Sequence, residues 1–197
     1  MKNSFIQRTV VLVKPDGVRR GIVGEILVRF EKVGFKLVAM KMVWVDRDQV
    51  AKHYTDEISY LTNIGKRTLE DYQKFGFDPG ETLGTSDPSE IGRLVRLWNM
   101  DALTSGPLVA MLLEGINAVE IVRKMVGPTN VTMAPAGTIR GDYSIDTPIL
   151  ATLKKRPIKT VVHASGNVEE AEFERKLWFK EKEIFEYKRV GEEDYDL

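Results

Sequence analysis

The chain has 197 residues, 43% of them hydrophobic and 29% charged, which suffices for one domain with a sizeable core and excludes a disordered chain. Lys plus Arg and Asp plus Glu both count 29, so no global basicity argues for nucleic acid as the main partner, although a local basic pocket for a small anion stays open. There is no cysteine and there are two histidines, His53 and His163; disulfides and thiol nucleophiles are excluded, and a His-rich metal site is disfavoured.

No apolar run reaches membrane-spanning length, and Met1 to Arg8 is short and polar, without the layout of a signal peptide. A cytoplasmic enzyme or binding domain, with no membrane partner, is the expectation. Thr9 to Val13 is a β-branched apolar run that reads as a buried strand. Lys14-Pro15-Asp16-Gly17 ends it with turn chemistry, leaving Lys14 at the end of a central strand. Ile22 to Val33 has helical spacing, with Gly34 as its stop. Leu37 to Val45 reads as a second strand, and Arg47 to Tyr54 as a short helix capped by Asp46.

From about Leu61 to Ala102 the pattern changes to a helical insertion. Gly65 to Lys74 reads as one helix. A second carries the stripe Ile91, Leu94, Val95, Trp98 behind an Asp87, Pro88, Glu90 start that resembles a capping box. This segment is expected to serve packing or an oligomer surface rather than chemistry. Pro107 to Glu114 reads as a third strand, although periodicity alone leaves a buried helix segment open. Ala118 to Met125 is helical, stopped by Gly127-Pro128. Thr129 to Thr160 is loop-rich and long, and long loops are usually functional. Thr160 to Val162 is the fourth strand, which would put His163 between a strand and a helix start. Asn167 caps a helix running to about Trp178, with Val168, Ala171 and Leu177 inward. Gly191 to Leu197 is an acidic, peripheral tail. The order strand, helix, strand, strand, helix, strand matches an α+β fold of the ferredoxin-like βαββαβ type: an antiparallel sheet with helices on one face, plus the helical insertion.

A histidine at a strand end, with Lys14, Arg123 and Arg140 on neighbouring segments, suits phosphoryl transfer. That reaction needs cations around the migrating group and a nucleophile held in line. Glu174, on the helix after His163, can hold the ring in one tautomer, and Ser165 can bring a hydroxyl to the same region. On spacing alone this is a minority reading, because a lone buried histidine is more often structural. No Gly-x-x-x-x-Gly-Lys-Ser/Thr loop is present, so a P-loop kinase is disfavoured.

The chain carries, in order, Lys14-Pro15-Asp16-Gly17-Val18, Arg20-Gly21, Val23-Gly24-Glu25-Ile26, Gly34-Phe35, Ser105-Gly106-Pro107, Glu114-Gly115, Gly137-Thr138-Ile139-Arg140-Gly141-Asp142, His163-Ala164-Ser165 and Leu177-Trp178-Phe179. Taken together these motifs resemble the nucleoside diphosphate kinase family. The resemblance implies one such domain over 1–197, with the insertion at 61–102 and an extended loop at 142–160. It implies ping-pong transfer of a γ-phosphate between nucleoside tri- and diphosphates through a phosphohistidine, and a homo-oligomer, hexamer or tetramer. Mg²⁺ is expected on the nucleotide phosphates, with no metal ligand from the protein. His163 is the implied nucleophile, Glu174 its orienting partner, and Lys14 a contact to the sugar hydroxyl that helps the transfer. Tyr54 is the implied active-site tyrosine, Arg123, Thr129 and Arg140 the phosphate contacts, and Tyr60 the stacking platform for the base. Thr160 stands where the family has an asparagine that binds the sugar, Gly166 where it has an aspartate, and the stretch from Arg140 to His163 is about ten residues longer. With Lys14 in the site, no room is expected upstream for a cleavable presequence. The competing readings are a nucleotide-binding regulatory homologue with weak transfer and, last, a ferredoxin-like nucleic-acid binder.

Overall fold

The computed structural model describes residues 5–190; the acidic tail expected at 191–197 lies outside the described residues. In chain order the elements are β1 (Ile6–Val13), α1 (Pro15–Arg19), α2 (Val23–Val33), β2 (Lys36–Val43), α3 (Arg47–His53), α4 (Ile58–Phe75), α5 (Pro79–Leu83), α6 (Pro88–Thr104), β3 (Leu108–Ile116), α7 (Ala118–Val126), α8 (Ile139–Tyr143), α9 (Pro148–Leu153), β4 (Val162–Ala164) and α10 (Val168–Trp178). The sheet order is β2-β3-β1-β4 and each neighbouring pair is antiparallel, which is the βαββαβ arrangement with α2 and α7 as its connecting helices. Pro107 to Glu114 is resolved as strand: Leu108 to Leu113 are all buried because β3 is central and covered on both faces.

Side chains alternate across a strand, and that alternation sorts the core. Val11, Val13, Val109, Met111 and Leu113 pack with Ile26 and Phe30 of α2 and with Ala118, Val122 and Val126 of α7. Val10, Leu12, Leu108, Ala110 and Leu112 face the other way, onto Val50 of α3, Met100 and Leu103 of α6, and Trp178. Helices on one face therefore describes α2 and α7; in this chain α3, α6 and α10 cover the second face. That second face is where the site lies.

Several local readings change. Lys14 to Gly17 is not an isolated turn but the start of α1, with Lys14 in extended backbone as its N-cap. The first insertion helix is longer than Gly65 to Lys74, running Ile58–Phe75. The 129–160 stretch is not structureless: it holds α8 and α9. On α10, Val168 is half exposed, and Glu174 takes the inward place with Ala171 and Trp178. Asp46 and Asn167 cap their helices as expected, accepting from the Gln49 and Glu170 backbone N–H groups at 2.8 and 2.7 Å. Asp87 caps α6, but its own N–H goes to the Thr85 hydroxyl and not to Glu90, so the cap is not a reciprocal box.

The insertion is a helical hairpin closed by two glycines. A Cβ at Gly65 of α4 would lie 1.8 Å from the Pro88 carbonyl oxygen, and one at Gly92 of α6 would lie 2.0 Å from that of Leu61. Backbone thus rests on backbone at both crossings, which a side chain forbids. Gly92→Ala is expected to push α4 from α6 at a cost of about 1–3 kcal/mol, read as a Tm several degrees lower in a thermal melt. An unchanged Tm would contradict this packing. Among the described residues no helix is long and apolar enough to cross a membrane.

Candidate active site

Two alternations bring the chemistry together. Lys14 continues the row Val10, Leu12 on the second face, and Val162 and Ala164 of β4 point into the α2/α7 core. His163 between them, opposite Leu12, therefore projects to the same face as Lys14. It lies within β4 rather than after it. Lys14, Tyr54, Tyr60, Arg123, Thr129, Arg140, Thr160, His163 and Glu174 all line one cleft of about 1310 Å³. Ser165 is the exception: it is fully buried behind the cleft.

His163 Nε2 lies 2.8 Å from Glu174 Oε1. Burial would raise the Glu174 carboxyl, but its contacts with His163, His53 and Ser165 hold it below the usual carboxylate range. An ionised carboxylate only accepts, so Nε2 carries the proton and Nδ1 keeps its lone pair. Ser165 donates its hydroxyl to Glu174 Oε2 at 2.7 Å and accepts from the Val10 N–H at 3.2 Å. It fixes the carboxylate to β1 and does not reach the cleft, which corrects its expected place among the reacting groups.

The backbone leading into His163 is unusual. Val161 has φ 54°, a left-handed conformation that β-branched residues avoid. The turn is held by β1 and α1: the Lys14 N–H donates to the Val161 carbonyl at 2.8 Å, and the Val161 N–H donates to Asp16 Oδ2 at 3.1 Å. A Cβ on Gly17 would lie 2.9 Å from that same Val161 carbonyl oxygen, so α1 packs directly on the turn. The Lys14-Pro15-Asp16-Gly17 segment thus sets the approach of the histidine as well as supplying a cation.

The cations are placed without carboxylate neutralisers at contact distance. Lys14 Nζ donates to Thr160 Oγ1 at 2.9 Å and to the Ile158 carbonyl at 3.3 Å, and burial draws its pKa down to about 8. Thr160 accepts from Lys14 and retains its own hydroxyl proton to donate. Arg140 is buried and spans Gly127 O, Thr129 Oγ1 and Val162 O at 2.8, 3.2 and 3.0 Å. Its pKa falls to about 10 through burial first and then the charge of Arg123, and its Nε is buried without a partner among the described residues. Two guanidinium groups close enough to repel each other favour a polyanion between them. The Tyr54 phenol is pushed up by burial and stays a neutral hydroxyl. Tyr60 opens the first turn of α4 at the cleft wall, partly exposed.

Two further contributions shape the cleft. His53, left without a role in the sequence, is buried with its ring edge on His163, centroids 4.5 Å apart. Its Nδ1 accepts from Trp178 Nε1 at 3.3 Å and lies 3.5 Å from Glu174 Oε1; burial, then His163, lower its pKa to about 3, so it is neutral. Its position beside Tyr54 at the end of a helix was the available signal. The insertion, whose apolar pattern alone reads as packing or an oligomer surface, walls the cleft through Ile64, Arg67 and Thr68 of α4 and Val95, Trp98 and Asn99 of α6, and α9 closes the loop side with Pro148, Ala151 and Thr152. His53, His163 and Glu174 are the group of described residues whose donor atoms are close enough for a metal, all within 4.8 Å of one another.

Comparison with known proteins agrees with this geometry. The family model described as nucleoside diphosphate kinase matches residues 7–60 and 98–184, passing over most of the insertion. The chain is 48% identical over 181 residues to the nucleoside diphosphate kinase of Pyrobaculum aerophilum, covering 92% of this chain and 99% of that one. The crystal structure of an NDP kinase from the same organism superposes with a TM-score of 0.89 at 46% identity, covering 92% of this chain and all of that one. A transition-state mimic of the Borrelia burgdorferi enzyme with bound vanadate and ADP superposes with a TM-score of 0.75 at 35% identity, covering 96% of each chain. A sheet of this order, a carboxylate-held histidine at its edge and matches over nearly the whole chain lead to one assignment: the protein belongs to the nucleoside diphosphate kinase family.

Proposed function

We infer that the protein transfers the γ-phosphoryl group of a nucleoside triphosphate to a nucleoside diphosphate, with His163 as the carrier. The observation that carries this reading is the 2.8 Å bond from His163 Nε2 to Glu174, which leaves Nδ1 as the nucleophilic nitrogen of a ring lining the cleft. Nδ1 attacks the γ-phosphorus, and the bond to the β–γ bridging oxygen breaks with its electron pair leaving on the diphosphate. The positive charge that develops on the ring is balanced by Glu174. A β-phosphate oxygen of the second nucleotide then displaces His163 by the reverse path. Arg123, Arg140 and Thr129 hold phosphate oxygens, Lys14 and Thr160 the sugar end and the transferring group, Tyr54 adds a neutral hydroxyl, and Tyr60 offers the base a face to stack on. Ser165 acts through Glu174.

Enzymes of this family work with a divalent cation, which we take to be Mg²⁺. The close donor set of His53, His163 and Glu174 is rich in imidazole nitrogen and does not suit a hard cation that prefers oxygen ligands and water, so Mg²⁺ enters on the nucleotide phosphates. We further propose a single domain carrying the helical insertion, a cytoplasmic location, and a homo-oligomer, hexamer or tetramer. Support for self-association comes from β2, which lies at the sheet edge with Met40 and Met42 exposed. Native mass measurement distinguishes a hexamer, a tetramer and a monomer.

The test of the transfer is direct. Incubated with [γ-³²P]ATP and Mg²⁺ without acceptor, the protein takes up acid-labile, base-stable label, and adding an unlabelled nucleoside diphosphate discharges it as triphosphate. An unlabelled protein, or label that the diphosphate cannot remove, overturns the reading. Lys14 adds a pH dependence. With a pKa near 8 its ammonium loses charge between pH 7 and 9, so KM for nucleotide rises over that range. Lys14→Met starts with KM raised by about tenfold or more and lacks that component of the rise. Stability carries the opposite sign: between about 8 and 10.5 the unfolded chain binds the extra proton, so the wild type gains stability on the variant as pH increases. Parallel pH profiles of KM for the two proteins would contradict the assignment.

A further inference from the structure

Besides walling the cleft, the insertion holds the end of α3 through one side chain. Arg96 of α6 donates Nε to the carbonyl oxygens of Tyr54 and Thr55 at 2.8 and 3.1 Å, and Nη2 to that of Ala51 at 3.3 Å. These carbonyls belong to the last turn of α3 and the residues just after it, where a helix leaves C=O groups without intrahelical partners and a partial negative charge. The His53 and Tyr54 side chains leave from this same turn. Nothing else among the described hydrogen bonds takes these three oxygens. At the other end of α3, Arg47 pairs with Asp101, also on α6, at 2.6 Å. That pair is exposed and contributes little, but it places both ends of α3 against one insertion helix. Arg96 lies in the 61–97 stretch that the family model passes over, so this support for Tyr54 is not one that the matched segments carry.

We propose that Arg96 is a positioning residue for nucleotide binding: its guanidinium ties off the carbonyls at the C-terminal end of α3, which fixes Tyr54 in the cleft and removes a patch of partial negative charge from the path of a polyanionic substrate. This makes the insertion a working part of the substrate site and rests on the kinase reading given above. Arginine suits the position because one planar group reaches three acceptors in a fixed fork. The hydrogen bonds that orient the nucleophile come from Glu174, itself held by Ser165, and α3 meets His163 only through the ring contact of His53, so the rate at saturation depends little on Arg96.

That separation gives the test its readout. In Arg96→Met, KM for both ATP and the acceptor diphosphate rises by about tenfold or more, while the single-turnover rate of His163 phosphorylation at saturating ATP stays within about threefold of wild type. Arg96→Lys, which returns one donor and the charge, recovers part of the KM loss. A merely structural role would lower the fraction of active protein, leave KM unchanged in the molecules still folded, and give no graded rescue by lysine. Either an unchanged KM in a folded Arg96→Met protein, or a saturating rate that falls as far as kcat/KM does, overturns the proposal. If Arg96→Met does not fold, Arg96→Gln, with one amide donor left, is read the same way. A wild-type protein that takes no label from ATP defeats the kinase reading itself; a labelled wild type with an indifferent Arg96 variant defeats only this inference.

Discussion

His163→Gln remains folded, binds ATP, takes up no phosphoryl group and loses turnover by at least about 10⁴-fold. The argument is local. Glutamine keeps an amide N–H to donate to Glu174, so the buried carboxylate retains a partner and the β4 backbone is undisturbed, but an amide nitrogen has no available lone pair for phosphorus. His53 cannot take over, although its ring is 4.5 Å away, because its Nδ1 already accepts from Trp178 and the side chain is buried. The measurement is acid-labile label on the variant beside the wild type, with ATP affinity by calorimetry as the control for an intact cleft. Label surviving on His163→Gln would move the nucleophile elsewhere.

Glu174→Ala is expected to slow phosphorylation by about 10²–10³-fold at saturating ATP. One carboxylate meets three groups: His163 Nε2 and Ser165 Oγ by hydrogen bonds, and His53 Nδ1 at 3.5 Å. Its removal frees the tautomer of His163 and leaves the buried Ser165 hydroxyl without its acceptor. Rapid-quench measurement of label uptake reads the rate, and a loss below threefold would sink the orienting role. The same carboxylate carries an acid dependence of stability. Its folded pKa lies below the ordinary glutamate value of 4.5, so its contribution is complete above that value and is lost as pH falls through the folded pKa. In urea titrations the wild-type midpoint should therefore drop toward that of Glu174→Gln below about pH 4.5 and not above it.

Much of the frame was legible because it follows from short-range pattern. The apolar run at 9–13, the helical stripe at 22–33 and the caps Asp46 and Asn167 depend on neighbours within a few residues and are found as the pattern predicts; Asp87 caps its helix without the reciprocal bond, and 107–114, open between strand and helix on periodicity, is strand. The candidate nucleophile and the cations that share its cleft were legible through the motifs that resemble the family. What was hidden depends on contacts distant in sequence. Arg96 meets carbonyls more than forty positions away, and its charge alone gave no reason to separate it from a solvated arginine. The insertion reads as packing because its stripe is apolar, yet Val95 and Trp98 of that stripe line the cleft. Ser165 shares the face of His163 by strand alternation, but it is buried beneath Glu174 and bonded to the Val10 backbone, which short-range pattern does not reveal. The left-handed turn at Val161 had no signal at all, since valine is the residue type least expected there.

That turn has a consequence for how mutations are read. A left-handed valine costs roughly 1–2 kcal/mol, while burying its side chain returns about 1.5–3 kcal/mol. Val161 is 1% exposed and packs among Val13, Val162 and their neighbours, so the apolar cluster is what keeps the backbone in its unfavoured state. Loosening that cluster, for example by trimming Val13 or Ile139, lets the turn relax and the imidazole drift from its line of attack. Such variants would lose the roughly 1–4 kcal/mol that core truncation costs and, in the molecules still folded, turnover as well, with no altered residue touching the nucleotide. Screens that sort substitutions by distance from the reacting atoms would file them under the wrong cause.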